Sequence, residues 1–172
     1  MAATIQTIEK PKKARALDTS TSYQEISQEL VTNGTFTNWT GDNPDNWSVH
    51  NEDGSNHISE SGGGGGAAVY ISDNSKDVYI SQGGVFEVGK TYIVRMDCTA
   101  HTAGSVNLYY TSTTGGSTLA GLSGTGSLEH IFTPDYSTTL VITQSGGTVN
   151  LTFDNVSVKE VESFGNNNHG QI

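Results

Sequence analysis

The stretch from Thr148 to Val161, TVNLTFDNVSVKEV, constrains what this chain can fold into more than any other. Val149, Leu151 and Phe153 fall on one side of an extended backbone, and Asn150, Thr152 and Asp154 on the other. The alternation breaks at Asp154-Asn155 and resumes in Val156 and Val158. Extended, Thr148 to Lys159 would reach roughly 40 Å at about 3.3 Å per residue, longer than an ordinary strand. A bend or bulge is therefore expected near Asp154, and a strand this long needs a large sheet to lie in.

The chain upstream supplies that sheet. Leu30 and Val31 lead into the turn signal Thr32-Asn33-Gly34, followed by Phe36 and Trp39, and the loop Gly41 to Asn46 precedes a strand over Trp47 to His50. Further strands are expected over 55–60, 67–72, 77–82, 91–99, 105–111, 118–121, 127–133 and 138–144. In the segment Thr91 to Thr99, Tyr92, Val94, Met96 and Cys98 share one face, and Ile93, Arg95 and Asp97 the other. Trp39 and Trp47 are placed in or near the core. The five glycines Gly62 to Gly66 are read as a loop, since no Lys-Ser/Thr pair and no helix follow them as a phosphate cradle would require. Closely spaced short strands with Gly-rich turns indicate an all-β sandwich or barrel.

Composition agrees: 21 glycines, only 15% charged residues and 33% apolar ones in short runs suit strands and turns. At 172 residues the chain holds one domain with flanking segments. Its boundaries are set at 1–28 for an extended arm, 29–161 for the domain and 162–172 for a linker. Charge is unevenly divided. Lys10, Lys12, Lys13 and Arg15 against Glu9 give the first 15 residues +3, so the remainder carries −13 of the total −10. That acidity argues against a nucleic-acid face. The basic cluster reads either as a contact for an acidic protein partner or as a solvated tail. Cys98 is the single cysteine, and no stretch approaches the roughly 20 apolar residues of a membrane helix. Synthesis and assembly in a reducing cytoplasm are expected.

Three motifs, Leu30-Val31-Thr32-Asn33-Gly34-Thr35-Phe36, Val85-Phe86-Glu87-Val88-Gly89-Lys90-Thr91-Tyr92 and Phe153-Asp154-Asn155-Val156-Ser157-Val158, resemble those of carbohydrate-binding-module jelly rolls of the galactose-binding-like superfamily. The resemblance covers about Glu29 to Val161 and implies a jelly-roll β-sandwich. Such modules occur in polysaccharide-degrading enzymes and in bacteriophage virion proteins. In that family the first and last strands often share a calcium ion, which the resemblance would place among Asn33 to Thr37 and Asp154. Thr37 stands where the family usually has an acid, which removes a charged ligand. The competing expectation is that Asp154 caps the bend and that no cofactor is required.

Outside the domain, Ala14-Arg15-Ala16-Leu17-Asp18-Thr19-Ser20 and Gly165-Asn166-Asn167-Asn168-His169-Gly170-Gln171-Ile172 are similar to strings found joined head to tail in phage fibre proteins with a laminin-G-like domain. The jelly roll lies between them, like a module inserted into a fibre sequence. This resemblance implies a virion component of a tailed phage, decorating a head or forming part of a fibre. Such a component would be anchored to other virion proteins by the arm and assembled as a homo-oligomer. A carbohydrate-binding module of a polysaccharide-active enzyme is the alternative.

No catalytic motif is present. Gly121-Leu122-Ser123-Gly124 lacks nucleophile-elbow spacing, and His50, His57, His101, His130 and His169 lack metal-ligand spacing. The fourteen acids between Glu29 and Glu160, set against four basic residues, read as an acidic surface rather than a glycosidase pair. A sugar site needs only an aromatic platform and planar hydrogen-bonding groups on one sheet face. Alternation places Tyr79, Arg95, Asp97, Asn107 and Tyr109 on outward faces of three consecutive strands, as candidate contacts to a cell-surface glycan. The alternative is an ordinary solvated or subunit-facing sheet surface.

Overall fold

The computed structural model describes residues 22–62, 66–110, 118–135 and 138–164. The basic cluster Lys10, Lys12, Lys13 and Arg15, and the linker beyond residue 164, lie outside the described residues. Thirteen strands are formed among the described residues, in chain order β1 (Ser22–Glu25), β2 (Trp39–Thr40), β3 (Asn43–Pro44), β4 (Ser48–His50), β5 (His57–Glu60), β6 (Ala68–Ser72) and β7 (Tyr79–Gln82). They continue with β8 (Tyr92–Ala103), β9 (Val106–Tyr109), β10 (Thr118–Leu122), β11 (Gly126–Phe132), β12 (Leu140–Gln144) and β13 (Val149–Phe164).

Two antiparallel sheets pack face to face. One has the order β11-β8-β13-β6-β5, with β1 added to β13, and the other has the order β10-β9-β12-β7-β4. From β6 to β9 the chain crosses between the sheets at every step, and it does so again from β10 to β13. Alternation along each strand then fills the space between the sheets, because every second side chain points inward. Tyr70, Tyr92, Met96, Leu108, Ile142, Leu151 and Phe153 are fully buried there. Phe36 packs edge-on to Phe153 with centroids 5.1 Å apart and against Trp47 at 5.4 Å. At the other end Phe86, Tyr92 and Phe132 form a second aromatic cluster. Trp47 is buried and Trp39 packs partly buried against the core, as expected.

The closing strand is as long as the alternation required, and longer. Between Asp154↔Asp97 and Ser157↔Arg95, β13 contributes two residues where β8 contributes only Met96, which is a bulge. Asn155 takes φ 52°, a left-handed conformation that Asn tolerates better than most residues. The extra residue resets the phase, so that Phe153, Val156 and Val158 all point into the core. The bulge also receives the start of the domain: the Val156 amide donates to the Gly34 carbonyl at 2.9 Å, and the Leu30 amide to the Val158 carbonyl at 3.0 Å. A Cβ on Gly34 would lie 1.9 Å from the Val156 carbonyl oxygen, so this crossing requires glycine.

Both domain boundaries move outward from those read in the sequence. Residues 22–28, assigned to the arm, are fastened to β13: Ser22 to Glu25 pair with Phe164 to Val161, and Ile26 donates to the Glu160 carbonyl. At the far end, β13 continues through residues 162–164, past the boundary expected at 161. These segments lack apolar periodicity because they are held by backbone and ionic contacts rather than by a buried face. Glu25 accepts from Arg95 at 2.6 Å and Lys159 at 2.8 Å, and Glu29 accepts from the Val158 amide at 2.7 Å.

Candidate functional site

The inner face of the five-stranded sheet is spent on the core, so its outward face is the surface on which local chemistry can differ. Register defines two rows of side chains across that face. One runs His50, Tyr79, Thr143, Asn107, Gly121, and the next runs Ser48, Ser81, Val141, Tyr109, Thr118. The row between them, Val49, Ile80, Ile142, Leu108 and Ala120, points into the core. In a chain of net charge −10, none of these ten outward residues is an Asp, Glu, Lys or Arg.

Aromatic side chains flank the two rows on either side of the central strand β12, at Tyr79 and at Tyr109. Val141 and Thr143, on the central strand β12, are only 1% and 3% exposed. On one side the His50 ring stacks on Tyr79, with centroids 4.3 Å apart and planes 13° from parallel, while His50 Nε2 and Ser81 Oγ share a hydrogen bond of 3.2 Å. On the other side Asn107 Nδ2 donates towards the Tyr109 hydroxyl at 3.5 Å. The Asn107 carboxamide lies across Gly121, where a Cβ would come within 2.5 Å of Asn107 Oδ1. Gly121 thus leaves the space that the amide occupies. With strands about 4.8 Å apart, the backbones of Tyr79 and Tyr109, two strands and two residues removed, lie roughly 12 Å from each other.

Of the five residues proposed from sequence to meet a glycan, this face brings together three: Tyr79, Asn107 and Tyr109. Arg95 and Asp97 belong to β8 in the other sheet and do not converge with them. Treating β7, β8 and β9 as spatial neighbours is corrected by the alternation of successive strands between the sheets. Arg95 is committed to Glu25 and to Glu129, the latter at 2.8 Å. Asp97 is hydrogen-bonded by Ser127 and by Asn155 Nδ2, and these bonds hold its carboxyl below the usual aspartate range. His50, Ser81, Val141 and Thr143 were not assigned to a site from sequence. The alternation in Ser48-Val49-His50 places His50 outward, but nothing local shows that β4 pairs with β7.

Several of the oxygens around the proposed calcium position already accept hydrogen bonds, and the Asn33 amide nitrogen is committed to the loop. Asn33 Nδ2 donates to the carbonyls of Asn38 and Asp45 at 2.8 and 2.9 Å, and Asn33 Oδ1 accepts from the Asn38 amide. The Asn33 carbonyl accepts the Trp47 indole N–H at 3.1 Å, and the Phe36 carbonyl accepts that of Trp39 at 2.5 Å. Asp154 stands opposite Asp97 on the outward face of the six-stranded sheet and accepts from the Asn155 amide at 2.6 Å. Burial first, and Asp97 in addition, push its carboxyl above the usual aspartate range. Calcium takes six to eight oxygens, several of them carboxylates, and Asp154 is the one carboxylate among the residues the resemblance points to. Among the described residues no three His, Cys, Asp or Glu side chains come together as a metal site.

No protein-family model and no curated protein matches the sequence. Solved structures do match. A carbohydrate-binding module of family 4 is similar over 75% of this chain and 98% of its own, with a TM-score of 0.53 and 21% identity. The N-terminal CBM22-1–GH10 modules of Clostridium thermocellum xylanase 10B, complexed with xylohexaose, match over 78% of this chain with a TM-score of 0.52 and 19% identity. The similarity spans only 29% of that xylanase chain. The enzymatically active domain of tailspike protein 4 from bacteriophage CBA120 matches over 77% of this chain and 21% of its own, with a TM-score of 0.50 and 12% identity. The fold is therefore the carbohydrate-binding-module jelly roll, as the motifs implied.

Proposed function

We propose that this protein is a non-enzymatic glycan-contacting jelly roll, which binds through the outward face of its five-stranded sheet. The observation that carries the reading is the pair of outward rows from His50 to Gly121 and from Ser48 to Thr118, which hold no charged side chain and carry aromatic rings and an amide on either side of β12. Aromatic rings offer apolar faces to the C–H surface of a pyranose, and amide and hydroxyl groups offer bonds to its hydroxyls. A uronate or sulfated glycan would require a basic partner that the face lacks, and would meet the field of an acidic protein. The ligand is accordingly a neutral glycan.

The test is binding to an array of neutral and acidic glycans, repeated with Tyr109→Ala. The parent protein should retain neutral glycans only, and Tyr109→Ala should lose them with its melting temperature unchanged. Arg95→Ala, on the other sheet, should bind as the parent does. An Arg95→Ala variant that loses binding while Tyr109→Ala keeps it would overturn the assignment.

We place the module in a tailed-phage virion, attached to other virion proteins through the basic segment Lys10 to Arg15. Support comes from the resemblance of both flanks to phage fibre sequences and from the tailspike neighbour. Deleting residues 1–21, which spares β1, should leave a folded domain that no longer joins the particle; normal incorporation would refute the anchoring role. The second reading, a binding module of a polysaccharide-active enzyme, is favoured by the xylanase in which a similar fold accompanies a GH10 module.

A further inference from the structure

The geometry points to a mounting neck: β1 and the end of β13 form a two-stranded stalk from which the jelly roll hangs sideways, rather than sitting in series with its flanking chain. β13 faces β6 only over Val149 to Phe153, and its pairing with β8 ends at Glu160↔Tyr92. One more bond, from the Val161 amide to the Thr91 carbonyl, follows. From Val161 to Phe164 the strand partner of β13 is β1, in the register Glu25↔Val161, Gln24↔Glu162, Tyr23↔Ser163 and Ser22↔Phe164. These last four residues run on for about 13 Å. The polypeptide therefore enters the domain at Ser22 and leaves it at Phe164 from directly opposed positions, whose Cα atoms are about 5 Å apart in an antiparallel pair.

A module used as a spacer adds its length between its two attachment points. Here that separation is about one strand spacing, so the domain adds almost nothing to the contour of the chain that carries it and projects away from it. The neck is braced on one side by Glu25, which bridges Arg95 of β8 and Lys159 of β13. All four β1 side chains are exposed, so little apolar burial holds the ribbon. Tension applied at its two ends opens the ladder one bond at a time, because both ends lie at the same end of the ribbon. This inference stands whether or not the sheet face binds sugar.

Two measurements on the full chain test it. Spin labels on Tyr23→Cys and Ser163→Cys, with Cys98 buried, should broaden each other's continuous-wave spectra; unbroadened spectra would overturn the neck. Single-molecule pulling through handles at Met1 and Ile172 should open the domain at no more than half the force needed with handles at Ala103 and Ile172. The second pair draws β8 and β13 lengthwise in opposite directions along their shared ladder. Equal or greater resistance in the first geometry would show that the domain carries tension in series, and the proposal would fail.

Discussion

Gly34→Ala tests the junction between the start of the domain and the bulge in β13. A Cβ at this position would sit 1.9 Å from the Val156 carbonyl oxygen, 3.0 Å from its carbon and 3.1 Å from Val31 Cγ1. Two of these atoms are backbone, so a rotamer change cannot relieve the contact. The strands must part by more than an ångström. That movement breaks the 2.9 Å bond from the Val156 amide to the Gly34 carbonyl and strains the neighbouring Leu30–Val158 bond. Overpacking costs about 1–3 kcal/mol and a buried unsatisfied amide about 1–3 kcal/mol more, so a loss of roughly 3–5 kcal/mol is expected. For a domain of this size that corresponds to a fall of roughly 10 °C in Tm. Thermal unfolding followed by tryptophan fluorescence suits the test, because the Trp47 indole is bonded to Asn33 beside the altered residue. Gly124→Ala is the matched control, since a Cβ there meets nothing within 4 Å. If Gly34→Ala melts within about 2 °C of the parent while Gly124→Ala behaves as expected, the close crossing is wrong.

Asp154 and Asp97 stand directly opposite each other, an unfavourable like-charge pair. Because folding raises the Asp154 pKa, its penalty is absent below the unfolded value and grows as pH rises through the folded one; Asp154→Asn should raise Tm near pH 7 and leave it unchanged near pH 3. Glu25 is shifted the opposite way, lowered first by its bond to Lys159 and then by Arg95, so its contribution is present above the unfolded pKa and fades as pH falls. Glu25→Gln at neutral pH should speed amide exchange in β1 with little change in global Tm. Chelator should leave the melting curve unchanged, since Trp39 and Trp47 hold the loop that an ion would otherwise order. Trp47→Phe, which deletes the bond to the Asn33 carbonyl, should lower stability by about 1 kcal/mol or more.

Local pattern made the sheets legible. The alternation in Tyr92 to Cys98 and the phase break at Asp154-Asn155 are both present in the fold, because burial on one face leaves a period of two wherever a strand crosses the core. What local pattern does not carry is partnership. Arg95 and Tyr109 alternate outward just as Tyr79 does, yet Arg95 faces away from both on the opposite sheet. That division depends on the chain crossing the sandwich between β7 and β8 and again between β8 and β9. The place of His50 beside Tyr79 is hidden for the same reason, since it depends on the pairing of β4 with β7. The segment Ser22 to Gln28 looks like an arm in sequence because backbone pairing and the Glu25 ion pairs leave no hydrophobic periodicity. Trp39 and Trp47 are legible as residues in or near the core, but their N–H bonds to the loop carbonyls depend on the left-handed turns at Asn33 and Phe36.

We propose that a neutral glycan meets the face built by His50, Tyr79, Asn107 and Tyr109. Amide chemical-shift mapping of the full chain, titrated with neutral xylo-, gluco- and manno-oligosaccharides and with an oligouronate, tests it directly. At least one neutral ligand should shift resonances of β4, β7, β9 and β12 around those residues, leaving Arg95 and Asp97 still, and the uronate should shift none of them. Shifts confined to the Arg95 and Asp97 face, or a response to the uronate alone, would refute neutral-glycan binding on the five-stranded sheet.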